Sequence, residues 1–234
     1  MDLSLKQTLL IALGICVIGI VAFGIYYFNP KQIILRKLAK IRLKPIVSLS
    51  DNELVKVNGK AVNIQAPLIA PLSKRKCVYF TIKIEKKVST GKNSHWKTVV
   101  NEEKIDPFFM EQNGSFVLIN STQNPKNYVS YLVVDSKLTS GVFNKPTPEA
   151  LALLEKYNMD SKNFFGFHKQ LRYQEGVIEI GEKITVAGVV KWNTLSEPLE
   201  GYNYSKIASL NHSETQKLII TDLPESKESR GLSV

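Results

Sequence analysis

Between Leu9 and Phe28 the chain reads LLIALGICVIGIVAFGIYYF, a run with no charged residue. A helix needs about 20 apolar residues to cross a hydrocarbon core of about 30 Å. In lipid a single span can satisfy its own backbone only as a helix. Gly14, Gly19 and Gly24 would weaken a helix in water but are ordinary in a bilayer, and Tyr26 and Tyr27 suit the headgroup layer. Asn29-Pro30 then breaks the span. A cleaved signal peptide would need a shorter apolar core and a small-x-small site after it, and the chain offers neither. The expectation is one transmembrane helix within residues 1–30.

The charge is placed around that span. Residues 31–44, KQIILRKLAKIRLK, carry Lys31, Arg36, Lys37, Lys40, Arg42 and Lys44 and no acid, over half of the net charge of +10. The amino side offers only Asp2, Lys6 and the terminal amine. The positive-inside rule therefore puts the amino terminus outside and the carboxyl side in the cytoplasm. A basic run beside a membrane binds anionic headgroups, so the excess does not by itself argue for nucleic acid. Ile34, Leu38 and Ile41 share one helical face, which predicts a short helix over 31–44. It either lies in the interface or continues the span. Cys16 falls in the span and Cys77 beyond it, so no disulfide framework exists, as a reducing compartment requires. On a cytoplasmic domain the Asn-x-Ser/Thr matches at Asn113, Asn120, Asn203 and Asn211 carry no meaning.

Past residue 50 the pattern becomes period two. ELVKVNGKAVNI (53–64) alternates around Asn58-Gly59 and predicts a hairpin there. Residues 65–76 read as a loop. CVYFTIKIEKKV (77–88) and HWKTVVNEEKI (95–105) predict a second hairpin, and PFFMEQNGSFVLIN (107–120) a third, around Asn113-Gly114. YVSYLVV (128–134) is a further strand. Thr147-Pro148-Glu149 opens a helix running to Asn158. Strands return at 171–180 and 183–192, joined by Gly181-Glu182. Ser213 is expected to cap a short helix before LIITDL (218–223), and residues 224–234 to be a disordered tail. The fold expected is a mainly β soluble domain over 51–223, barrel or sandwich-like in an α+β arrangement. It has one inserted helical region, and a basic juxtamembrane helix or linker over 31–50 connects it to the anchor.

Catalytic sets are missing. There is no phosphate-cradling glycine loop, no CxxC and no HExxH, and His95, His168 and His212 stand apart. No catalytic, cofactor or metal residue is assigned. Cys77 opens an apolar strand and reads as a packing thiol, although Lys74-Arg75-Lys76 just before it could activate a nucleophile. That basic triplet reads as a solvated loop with a possible headgroup contact. Trp96 and Trp192 sit in strand patterns and are expected in the core. Glu102 and Glu103 should point to opposite faces, a poor geometry for paired acid-base work.

The order of several motifs resembles the GIDE-type, or "beside a membrane" (BAM), domain of mitochondrial ubiquitin ligases and shorter prokaryotic relatives. The residues concerned are Gly59, then Pro71-Leu72 and Ser73, then Cys77-Val78-Tyr79, then Trp96. Pro107-Phe108, Asn113-Gly114, Glu175, Gly181 and Val186 to Gly188 follow, and ASLNHSETQKLII is similar to a Ser-rich segment of the family. The resemblance covers about residues 50–222 and implies a recognition domain. The ligases add a zinc-binding RING, which needs two sets of four Cys or His ligands. Two cysteines and three histidines cannot supply them, so no residue here supports ubiquitin transfer. The functional expectation is a non-catalytic, membrane-anchored module that binds a protein at the cytoplasmic face. The alternatives are a ligase component borrowing its RING or using Cys77, and a small barrel binding lipid or nucleic acid.

Overall fold

The computed structural model describes residues 3–121, 124–194 and 205–227. The chain divides into two units, Met1–Lys40 and Ile41–Val234.

The first unit is helical. Helix α1 (Leu3–Tyr27) has 25 residues, a length of about 37 Å at 1.5 Å per residue. Among the described residues it is the one helix long and apolar enough to cross a membrane. Asn29 caps the next helix, α2 (Pro30–Ala39), by accepting the Lys31 N–H at 2.9 Å, with Pro30 at the first position where a missing N–H costs nothing. Arg36 folds back on α1. Its Nη2 donates to the Tyr27 carbonyl at 2.6 Å, and its guanidinium lies 3.9 Å from the Tyr27 ring centre. The helix predicted over 31–44 therefore starts one residue early and ends at Ala39. Beyond it the chain needs extended backbone, because Arg42 and Lys44 exchange hydrogen bonds with Lys56. Ile46 and Leu49 enter the core of the second unit.

The second unit is mainly β. Its elements in chain order are β1 (Leu54–Asn63), β2 (Leu68–Ile69), β3 (Lys76–Thr90), β4 (Asn93–Ile105), β5 (Phe108–Gln112), β6 (Ser115–Ile119), β7 (Tyr128–Tyr131) and β8 (Ser136–Ser140). Helix α3 (Pro148–Lys156) follows, then β9 (Leu171–Glu179), β10 (Lys183–Thr194), β11 (Lys206–Asn211), β12 (Leu218–Thr221) and α4 (Pro224–Lys227). Strand β1 pairs with β5 on one side and β10 on the other. The ring β1-β5-β6-β11-β10 closes on itself, antiparallel except for the parallel pair β6–β11. This is the strand order of an OB-type barrel. Strands β12 and β7 extend it beside β10. The second sheet has β9 on one side of β3 and β2 with β4 on the other, with β8 beyond β9. It fills the connection between the first two barrel strands, and with α3 the connection between the third and fourth.

The hairpins over 77–105 and 107–120 are present. Asn113 and Gly114 both have positive φ, at 52° and 79°, as a two-residue turn of that type requires. The expected hairpin at Asn58-Gly59 is not there, since β1 runs straight through both residues. Gly59 is needed for approach rather than for turning. A Cβ there would lie 2.7 Å from the Glu111 carbonyl oxygen of β5. Asn58 is buried and bonds Thr185 and the Lys227 carbonyl. That second bond docks α4, so residues 224–227, expected as disordered tail, belong to the body. Residues 228–234 and Asn203 lie outside the described residues. Ser213 closes a turn with Gln216 and starts no helix. Strands β9 and β10, adjacent in sequence, belong to different sheets, and Gly181 at φ 84° turns the chain between them. Trp96 and Trp192 are 37% and 46% exposed rather than in the core. Each is held at its edge by a polar contact: the Arg172 guanidinium on the Trp96 ring, and the Leu49 carbonyl on the Trp192 indole N–H.

Replacing Gly59 by Ala forces β1 and β5 apart. The Gly59→Ala chain is expected to lose about 2 kcal/mol in chemical denaturation, whereas Gly19→Ala, with open space around it, leaves the unfolding midpoint of the β body unchanged.

Candidate functional site

Strand β3 carries Cys77, Val78 and Tyr79, singled out in the sequence, and one irregularity sorts them. Residues two apart on a strand share a face. Cys77 and Tyr79 do not, because the pairing with β9 slips between them and Val78 is an extra residue. Cys77 consequently joins Phe80, Ile82 and Ile84 in a core under α3, while Tyr79 joins the barrel core.

Glu175 organises the loop ahead of β3. It is fully buried in the middle of β9, and its two carboxylate oxygens accept the Leu72 N–H at 2.7 Å and the Ser73 N–H at 2.9 Å. Gly176 beside it has no room for a Cβ, which would sit 2.8 Å from the Val133 carbonyl oxygen. Lys74 has a positive φ of 61° and donates to the Pro71 carbonyl. Arg75 bonds Ser73 and pairs with Glu179 and Asp135. Asp135 in turn accepts the Val177 N–H at 2.8 Å. Lys74 and Arg75 are therefore engaged within the molecule. The basic triplet is not a free solvated loop.

Cys77 is buried, and its Sγ lies 3.6 Å from the Leu68 carbonyl oxygen. Burial pushes the thiol up to about 12. Glu175 adds to this, and Arg75 opposes it too weakly to compensate. The thiolate a nucleophile needs does not form at neutral pH. A cleft of about 260 Å³ lies beside Cys77, bounded by Gln65 to Leu68, Val78, Asp106 and Pro107. This is smaller than most small-molecule sites. Pro107 and Cys77 thus meet at one cleft, while Phe108 is buried in the barrel.

The remaining polar groups pair across the structure. The Tyr79 hydroxyl donates to Glu103 at 2.8 Å and lies 2.6 Å from Ser130 Oγ, and burial holds its phenol well above the ordinary range. Glu102 accepts from Tyr157 at 2.6 Å, so the two adjacent acids do face opposite ways. Asp222 accepts the Val133 N–H on both oxygens, at 2.9 and 3.1 Å. No group of three metal-ligating side chains occurs among the described residues. Lys44, expected at the membrane surface, is paired with Glu53 at 2.6 Å.

A scan against protein-family models found no match, and searches of curated proteins and of solved structures found none either.

Sequence reasoning missed Asp135, Glu179 and Asp222, because their partners, the Val177 N–H, the Arg75 guanidinium and the Val133 N–H, are distant in the chain. It also missed four exposed phenylalanines, Phe143, Phe164, Phe165 and Phe167. The signal for Phe164 and Phe165 was the apolar pair between two turn formers in Asn163-Phe164-Phe165-Gly166.

Replacing Glu175 by Gln leaves one of the two N–H groups against an amide rather than a carboxylate. The Glu175→Gln chain is expected to lose about 2 kcal/mol of stability, read by urea denaturation. Asp222 supplies a pH dependence. Burial pushes its carboxyl up to about 6, with Asp135 adding to the effect and the Val133 N–H and Lys227 opposing it. The fold therefore favours the protonated form, and stability falls as pH rises from about 4 through 6. Between pH 5 and pH 7 the native chain is expected to lose about 1 kcal/mol more than Asp222→Asn does, measured by denaturation at both pH values.

Proposed function

We propose that this chain is a membrane-anchored, non-catalytic module that binds a protein partner. In this reading α1 spans the bilayer, the basic flank sets the carboxyl side in the cytoplasm, and the β unit is the recognition body. Lys31, Arg36, Lys37, Lys40 and Arg42 face the headgroup region, with Lys44 and its Glu53 partner set aside.

The observation that carries the reading is strand β4. Its inner edge pairs with β3 from Asn93 to Ile105, while its outer edge has no strand partner among the described strands. Residues 93–99 are exposed. A long exposed edge offers unpaired N–H and C=O groups, and an extended peptide can add to it as a further strand. The inward use of Glu175, Arg75 and Cys77 supports recognition over chemistry. The resemblance to the GIDE type fits the same role, since there the domain serves recognition. Nucleic acid is disfavoured by the barrel itself. The second and third barrel strands, where OB-type barrels read oligonucleotides, carry Glu111 as their one charged residue and no Lys or Arg.

The test is site-specific crosslinking in intact cells. A photoreactive residue at Thr98 or Val99 is expected to capture one protein reproducibly, and the same residue at Thr215 is not. The adduct should persist when α1 is replaced by an unrelated span. Absence of any protein adduct from positions along β4 would overturn the reading.

A further inference from the structure

At one end of the second sheet the molecule exposes aromatic rings that nothing in the fold requires. Strands β8 and β9 end together at Ser140 opposite Leu171, and Lys87 N–H donates to the Gln170 carbonyl at 3.0 Å. The segments after Ser140 and before Leu171 therefore emerge side by side, next to the β3–β4 hairpin. Val142, Asn163, Lys169, Lys86 and Lys87 line one open cleft of about 490 Å³ between them.

Each segment is a tight turn with its apolar side chains outward. Gly141 and Asn144 exchange backbone hydrogen bonds at 2.7 and 3.2 Å, and Phe143 at that turn is fully exposed. In the other turn the Asn163 side-chain oxygen accepts the N–H groups of both Phe165 and Phe167 at 3.0 Å, and Gly166 has φ 81°. A bridge between Lys162 and His168 closes its base. Phe164 is 98% exposed and Phe165 78%. These rings are held out by ordered turns, so the exposure is built in. The adjacent hairpin from Lys86 to Asn101 contains Lys86, Lys87, Lys92 and Lys97 and no acid.

We propose that this end of the β unit docks on an anionic lipid bilayer, with Phe143, Phe164 and Phe165 entering the headgroup–acyl boundary and the hairpin lysines on lipid phosphates. The proposal rests on the reading of α1 as an anchor, which places the chain at a membrane. Phenylalanines in rigid projecting turns beside lysines match an interfacial surface. A protein partner fits the turns less well, because protein interfaces are depleted in lysine and Lys86, Lys87 and Lys169 line the cleft between them.

The full chain is reconstituted into vesicles of phosphatidylcholine, with or without about 30% phosphatidylserine to supply the anionic surface. An environment-sensitive fluorophore is attached at Phe164→Cys in a Cys16→Ser background, at Glu214→Cys as a control, or at native Cys16. Cys77, buried, does not react. Lipid-borne quenchers are expected to quench the label at 164 in anionic vesicles and not the one at 214. Most of that quenching should be lost with Lys87→Glu and Lys92→Glu together, or in high salt. A quenched Cys16 with an unquenched label at 164 would overturn the docking and leave the anchor standing. If neither is quenched, the anchored reading falls with it. Equal quenching at 164 in neutral vesicles would overturn the role of the lysines. A blue shift in detergent that grows with protein concentration would assign the surface to a second copy and overturn the proposal.

Discussion

The two-sided pairing of β1 is the constraint on which the β unit depends. Seven residue pairs with β10 and four with β5 close the barrel, which leaves no open edge along that ring. Closure demands close approach at two places. Gly59 admits the Glu111 carbonyl, and Gly188 on β10 admits the Asn211 carbonyl, which a Cβ would meet at 2.8 Å. The barrel interior is then filled from all five strands, with Val55, Val57, Phe108, Val117, Val186 and Leu210 among the buried residues.

The second sheet is joined to this barrel through the bulge at Val78. Without it, Cys77 and Tyr79 would face the same core. With it, one strand serves two cores: α3 covers the Cys77 side, and Tyr79 packs edge-on against Tyr128 at 6.2 Å. Buried Glu175 and Asp222 brace the junction by accepting backbone N–H groups that irregular loops leave unpaired, and Asp135 at the surface accepts the Val177 N–H of β9. Such groups are expensive to bury alone and inexpensive once the loop donors are supplied. Glu175, Arg75 and Cys77, which drew attention in the sequence, are engaged within the fold, and the surfaces proposed for function are edge strand β4 and the aromatic turns.

These turns and that edge share a cause. Both lie where the second sheet runs past the cores that support it. The distal half of the β3–β4 hairpin has no layer packed on it, so residues 91–99 are exposed on both faces. Arg172 is one of the few residues that reaches it, linking Glu85 to the Trp96 ring. A surface of this kind is a poor place to store stability and a good one for a partner or a membrane to complete.

Local chemistry was enough for several elements. The apolar run requires α1, Asn29-Pro30 ends it, Asn113-Gly114 makes its hairpin turn, and Thr147-Pro148 starts α3 at the residue expected, with the Thr147 hydroxyl accepting the Ala150 N–H. Each of these depends on contacts within a few residues, which a sequence pattern displays directly. Tertiary structure decided the rest. Asn58-Gly59 has the composition of a turn but is a strand, because the space for a side chain at Gly59 is taken by β5, fifty residues away. Arg75 has the composition of a solvated loop but is paired, because β9 brings Glu179 to it. Burial, register and the slip at Val78 arise from neighbours distant in the chain, and no local pattern encodes them.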